Sequence, residues 1–308
     1  MEHPNKDILY CLSYPRSGSS WFRYCFGFIT ETNTDKPGLL CHSHWHTDED
    51  YKINNCFDIK NILILRNYKE CIFSELKNII SRNPVALYTH PIEYVWHHTK
   101  GCDSTRAEGV MNSPVPKTEQ GVAQVFADLK IDQHVNDFLL PNMPTLANHI
   151  VSSKHCFGYE QDISCSFICH FHFALQLKRY YELLEYHDKI SKTNPNKALL
   201  IRYEDFIQNS PLELDKMIDF MKNNNLLSPK TTRLYRDKLT ELNNNIEYHK
   251  NLSIKKYRAQ RHLGSSFNKN SFHSSEYRKE FLVEIDNVLK NKNLELFNKY
   301  LSDYEEKD

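Results

Sequence analysis

Ser13-Tyr-Pro-Arg-Ser-Gly-Ser-Ser-Trp-Phe-Arg-Tyr-Cys25 (SYPRSGSSWFRYC) decides how the rest of the chain is read. It contains one glycine and four serines. The run before it, Asp7-Ile-Leu-Tyr-Cys-Leu12, is rich in strand formers. After it, from Gly18 to about Thr30, the apolar residues Trp21, Phe22, Cys25, Phe26 and Ile29 recur at intervals of three and four, the face of a helix. The order is therefore strand, tight turn, helix. A glycine among small hydroxyl residues at such a turn points several backbone N–H groups at one spot, and the helix dipole adds partial positive charge there. Ser17, Ser19 and Ser20 add hydroxyl donors. Arg16 adds a full charge on a fork that matches phosphate or sulfate oxygens. On its own the tetrapeptide RSGS is an ordinary turn with a surface arginine. The flanking strand and helix make it a candidate anion site.

Two more strands follow the same logic. Asn61-Ile-Leu-Ile-Leu65 is nearly all branched apolar and reads as a strand buried on both faces. It leads into a helical pattern over Tyr68–Ile80, stopped before Pro84. Ala198-Leu-Leu-Ile201 is a third buried strand, and Arg202-Tyr-Glu-Asp205 leaves its end. Ser210-Pro-Leu-Glu213 reads as a capping box with proline at the first helical position, opening a helix that buries Leu214, Met217, Ile218 and Met221. Buried strands alternating with helices imply a parallel α/β sheet, whose ligands bind beyond the carboxyl ends of its strands. The turns at 15–20, 66–74 and 202–205 all fall at such ends. Phe167–Ile190 and Glu276–Tyr304 read as long helices. Residues 83–165 are rich in His, Tyr, Pro and Asn with weak periodicity, and Thr99–Gly121 reads as a long loop. This stretch is a lid or acceptor-side insertion, or a tolerated surface insertion.

The whole chain bounds these readings. It has 308 residues, with 39 basic and 39 acidic side chains and zero formal net charge. That argues against a broad basic field for nucleic acid or an acidic membrane, though not against a local basic pocket. Nine cysteines, an odd number at irregular spacing, suit reduced thiols better than a disulfide framework. With no apolar leader and no apolar stretch of about 18 residues, the expectation is a cytoplasmic protein without membrane partners.

The turn is not a Walker P-loop, which needs G-x-x-x-x-G-K-[ST], nor a GxGxxG dinucleotide turn. Tyr14-Pro-Arg-Ser-Gly-Ser-Ser-Trp21 instead resembles the 5′-phosphosulfate-binding loop of PAPS-dependent sulfotransferases, whose cytosolic members usually show YPKSGTTW. PAPS, 3′-phosphoadenosine 5′-phosphosulfate, is their sulfuryl donor and PAP their nucleotide product. The family's second motif is a strand, an arginine, and a serine eight residues on. Leu63-Ile-Leu-Arg66-Asn-Tyr-Lys-Glu-Cys-Ile-Phe-Ser74 matches in identity and spacing, with Tyr68 where the family usually has proline. The resemblance covers roughly residues 8–80 and 198–221.

The resemblance implies a P-loop-like parallel α/β sheet flanked by helices, forming a single domain over 1–308. It assigns Arg16, Ser17, Gly18, Ser19, Ser20 and Trp21 to the donor's 5′ end, and Arg66 and Ser74 to its 3′-phosphate. Tyr203, in a segment similar to the family's YED, goes to the adenine site. Arg258 and Arg261, in Tyr257-Arg-Ala-Gln-Arg-His-Leu-Gly264, stand where the family has a second 3′-phosphate clamp, although the match is poor. In Cys41-His42-Ser43-His44, His44 aligns with the family's catalytic base. His42 takes the slot of a lysine, which shifts more of the positive charge onto Arg16.

The activity implied is sulfuryl transfer to a hydroxyl or nitrogen of a small-molecule acceptor, with no metal. A homodimer is left open. Two alternatives remain, a divergent P-loop kinase with Asp205 as a metal-binding acid and a non-catalytic nucleotide-binding scaffold. Among 16 histidines a chance His-x-His is unsurprising. Cys41, His42, His44 and His46 lack the paired distant ligands of a structural zinc site, and Cys165, Cys169, His170 and His172 sit among phenylalanines that suggest core packing.

Overall fold

The structure, a computed structural model, describes residues 9–32, 39–43, 60–72, 74–75, 166–258 and 276–305. They belong to two compact units. The first holds the described residues up to Cys71 together with 182–258. The second holds 72–75, 166–181 and 276–305. The insertion expected over 83–165 lies outside the described residues.

The first unit is built on four parallel strands, β1 (Leu9–Ser13), β2 (Leu40–Ser43), β3 (Lys60–Leu65) and β4 (Ala198–Arg202), in the order β2-β1-β3-β4. The α/β class with helices flanking a parallel sheet is thus the one expected. Every residue of β3 is buried. Alternation along the strand explains why. Ile62 and Ile64 join Leu9, Cys11 and Ile201 in one core cluster, while Leu63 and Leu65 are buried on the opposite face.

Helix α1 (Ser19–Thr30) lays Phe22, Cys25, Phe26 and Ile29, all fully buried, against that cluster. Their spacing of three and four residues puts them on one face, so the amphipathic pattern alone orients the helix. Burial pushes the thiols of Cys11 and Cys25 upward in pKa, so both behave as small apolar core residues. A second helix, α2, opens at Tyr68. After α3 (Ser166–Thr193) and β4 come α4 (Tyr203–Gln208), α5 (Ser210–Asn223), α6 (Pro229–Asn244) and α7 (Ile246–Arg258). Leu214, Met217, Ile218 and Met221 of α5 are all fully buried, as their spacing predicts.

Two local expectations are corrected and one unassigned stretch is defined. Asn209, not Ser210, caps α5: its side-chain oxygen accepts from the Leu212 N–H at 3.2 Å. The Ser210 hydroxyl is engaged elsewhere, donating to the Phe206 carbonyl at 2.6 Å and accepting from the Trp21 indole at 3.1 Å. The helix expected over Glu276–Tyr304 is two helices of the second unit, α8 (Glu276–Lys292) and α9 (Leu294–Tyr300). Asn293 breaks it by leaving the helical conformation and capping α9 through Leu296 N–H. Finally, Leu40-Cys-His-Ser43 is a strand, paired with β1 from Leu9↔Leu40 to Leu12↔Ser43.

Candidate functional site

The strand β1 ends at Ser13, and the chain then makes a turn in which two residues take left-handed backbone angles. Arg16 has φ 70° and Gly18 has φ 81°. The second suits glycine. The first is strained for an arginine, at a cost of about 1–2 kcal/mol. The turn is closed by Ser17 N–H donating to the Tyr14 carbonyl at 3.2 Å. Gly18 also starts α1: its carbonyl accepts from Trp21 and Phe22 N–H at 3.0 and 3.2 Å.

The N-terminus of α1 differs from its neighbours. Asn209, Ser228 and Asn293 cap α5, α6 and α9 with their side chains, and α4 carries Glu204 and Asp205 in its first turn. The first turn of α1 has neither a side-chain cap nor an acidic residue. Its own first turn supplies no anion to the dipole. Within the same turn the Ser17 hydroxyl is fully buried and has no hydrogen-bond partner. Leaving a buried hydroxyl unpaired costs about 1–3 kcal/mol. A buried donor beside an uncapped helix end is an arrangement that an anion would complete.

Two other strand ends converge on this turn. Arg66, just past β3, donates from Nη1 to the Arg16 carbonyl at 2.7 Å, which braces the strained residue. Its Nη2 pairs with Glu70 at 2.8 Å. Its guanidinium carbon lies 4.6 Å from the ring centroid of Tyr203, the first residue of α4 after β4. The ring of Tyr203 in turn presses on Gly18: a Cβ there would stand 2.3 and 2.4 Å from two of its carbons. Glycine at 18 is thus required twice, by its φ and by the tyrosine. Glu204 accepts from the Asn67 N–H at 3.3 Å, tying the ends of β3 and β4 together. Parallel pairing of β1, β3 and β4 in register explains the meeting: Ser13 lies beside Ile64, and Leu65 beside Arg202.

Of the residues singled out from the sequence, Arg16, Ser17, Gly18, Arg66 and Tyr203 are brought together. Ser19 and Ser20 stand in the first turn of α1, the former buried. Trp21 is packed in the core, stacked on Tyr24 at 5.7 Å with its N–H on Ser210. Ser74 lies on α2, in the part of the chain that belongs to the second unit. Arg258 is the last residue of α7. His44 and Arg261 lie outside the described residues, as do His46 and Cys165. Asp205 is exposed on α4.

The sequence did not reveal three partners at this edge. Glu70 and Glu204 are acids whose role depends on which strand ends meet. The third is a pair: the buried Ser13 hydroxyl shares a 3.0 Å hydrogen bond with Nε2 of His42, which orients the imidazole towards the end of β1. Among the described residues, no helix is long and apolar enough to cross a membrane, and no group of three or more His, Cys, Asp or Glu side chains is placed to hold a metal. No protein-family model, curated protein or solved structure matches this chain.

Proposed function

We propose that this chain is a PAPS-dependent sulfotransferase that moves a sulfuryl group to a hydroxyl or nitrogen of a small-molecule acceptor and releases PAP. The observation that supports this reading is the convergence of Arg16, Gly18, Arg66 and Tyr203 around an uncapped helix N-terminus that carries a buried, unpartnered Ser17 hydroxyl. On this reading the sheet is a P-loop-like one in which Arg16 stands in place of the family's usual loop lysine.

The turn from Arg16 to Ser20 holds the 5′-phosphosulfate, Arg66 holds the 3′-phosphate, and Tyr203 borders the adenine. His44 takes the proton of the acceptor as the new S–O bond forms. The old bond, from sulfur to the bridging oxygen of the nucleotide, breaks on the opposite side. Arg16 and the N–H groups of α1 face the charge that grows on that oxygen. The N–H groups are set by the helix itself, so they need little reorganisation to stabilise it.

The experiment is thermal unfolding in EDTA with PAP, and with AMP and ATP as controls. PAP at 100-fold over its dissociation constant should stabilise the protein by about 2.7 kcal/mol. Arg66→Ala should abolish the shift. No shift with PAP, or a shift with ATP that requires magnesium, would remove the sulfotransferase reading and leave the scaffold or the divergent kinase.

A further inference from the structure

We infer that Glu70 is a built-in competitor for the 3′-phosphate, so that donor binding exchanges one anion for another on Arg66. This rests on the sulfotransferase reading for the assignment of Arg66 to that phosphate. The geometry of Arg66 supplies the rest. A guanidinium forks onto a phosphate through two donors on one edge. Here Nη1 is committed to the Arg16 carbonyl, which braces the turn, and Nη2 is committed to Glu70. The ring of Tyr203 covers one face. Glu70 holds Nη2, the donor common to both edges of the fork, so a phosphate that forks onto Arg66 while the brace on the turn stays in place meets Glu70 there.

Glu70 is suited to leave and Arg66 to stay. The Glu70 side chain is 57% exposed, so its carboxylate swings into water at little desolvation cost. The Arg66 side chain is 23% exposed and is also held by the Arg16 carbonyl and the ring of Tyr203. Glu70 follows Arg66 by four residues, at the start of α2, so the carboxylate returns to the same place when the ligand departs. The pair keeps the guanidinium neutralised and aimed while no donor is bound. Its second effect is to weaken the hold on any ligand with a phosphate at that edge. A carboxylate carries one negative charge and a phosphate monoester nearly two, so the exchange favours a 3′-phosphorylated nucleotide over one without that group.

Calorimetric titration of PAP and of AMP into the wild-type protein and Glu70→Gln tests this. The substitution keeps shape and removes charge at an exposed position. PAP should bind Glu70→Gln about 1.5- to 5-fold more tightly, the range expected for releasing an exposed ion pair. AMP should gain less. Equal PAP affinity in the two proteins overturns the inference while leaving the sulfotransferase reading in place. So does an equal gain for AMP, which would make Glu70 a contributor to the general field only. Weaker PAP binding by Glu70→Gln also overturns it, by making Glu70 a support for Arg66. Failure of PAP to bind either protein overturns the sulfotransferase reading and this inference together.

Discussion

At the amino end of the sheet, the buried Asn61 on β3 donates to the Tyr10 carbonyl at 3.4 Å and meets Nδ1 of the buried His187 on α3 at 2.5 Å. At the carboxyl end, three and more residues further along the same strands, Arg16 and Gly18 take left-handed angles, α1 begins without a cap, and the Ser17 hydroxyl is buried without a partner. The first end closes its polar groups on one another; the second pairs Arg66 with the Arg16 carbonyl and Glu70, yet leaves the Ser17 hydroxyl and the first turn of α1 open. Interiors generally satisfy what they bury, so the orphaned Ser17 hydroxyl is what sets the carboxyl end apart from the amino end. The difference sets a closed polar pair against the end where the proposed donor site lies.

Gly18→Ala should be the most damaging change to this contrast. It places a Cβ inside the Tyr203 ring and forces alanine to a positive φ. Chemical denaturation should show a loss of about 2–5 kcal/mol, summing backbone strain and overpacking. Tyr203→Ala in the same chain should recover part of it. If the double variant is no more stable than Gly18→Ala, the tyrosine is not what crowds the glycine.

The next test sets the two ends against each other. Asn61→Ala should cost about 1–3 kcal/mol by orphaning its buried partners, and leave PAP affinity alone. Ser17→Ala should leave stability unchanged or raise it, since it removes a hydroxyl that pairs with nothing, yet it should weaken PAP. A stability loss from Ser17→Ala equal to that from Asn61→Ala would end the distinction, because the two ends would then be equally satisfied.

The smallest effect concerns a histidine away from either end. Nδ1 of His249, on α7, shares a 2.9 Å hydrogen bond with the Tyr24 hydroxyl, and its ring lies 4.4 Å from that of Phe28. Burial lowers the pKa of His249, with Glu241 opposing. Since the folded state binds the proton less readily than the unfolded chain, this histidine costs nothing above about pH 6.5, and its contribution falls as pH drops below that value. Urea titrations between pH 7.5 and 5 should therefore show a shallower loss of stability on acidification in His249→Phe than in the wild type. Parallel curves would mean the site does not titrate there.

How much of this was legible follows from the range of each interaction. β1, β3 and α1 declare themselves because a buried apolar strand or a helix with one apolar stripe leaves its mark within a dozen residues; Ala198–Ile201 reads as a buried strand as well, but in β4 only Ile201 is buried. Leu40-Cys-His-Ser43 leaves no such mark: four residues of mixed polarity become a strand because β1 offers an edge. The capping residue of α5 moves from Ser210 to Asn209 because Trp21, 189 positions earlier, claims the serine. The break at Asn293 rests on a capping residue inside an apolar pattern that runs on either side of it.

The sequence by itself determined the parallel α/β class, the strand–turn–helix around Gly18, and the residue types suited to an anion, since these depend on local periodicity and on the chemistry of single side chains. Only the tertiary structure decided that Tyr203 bears on Gly18, that Arg66 braces the Arg16 carbonyl, that Glu70 holds the other side of that guanidinium, and that Ser17 is left without a partner. Those facts depend on the register between strands far apart in the chain, and no local pattern encodes a register.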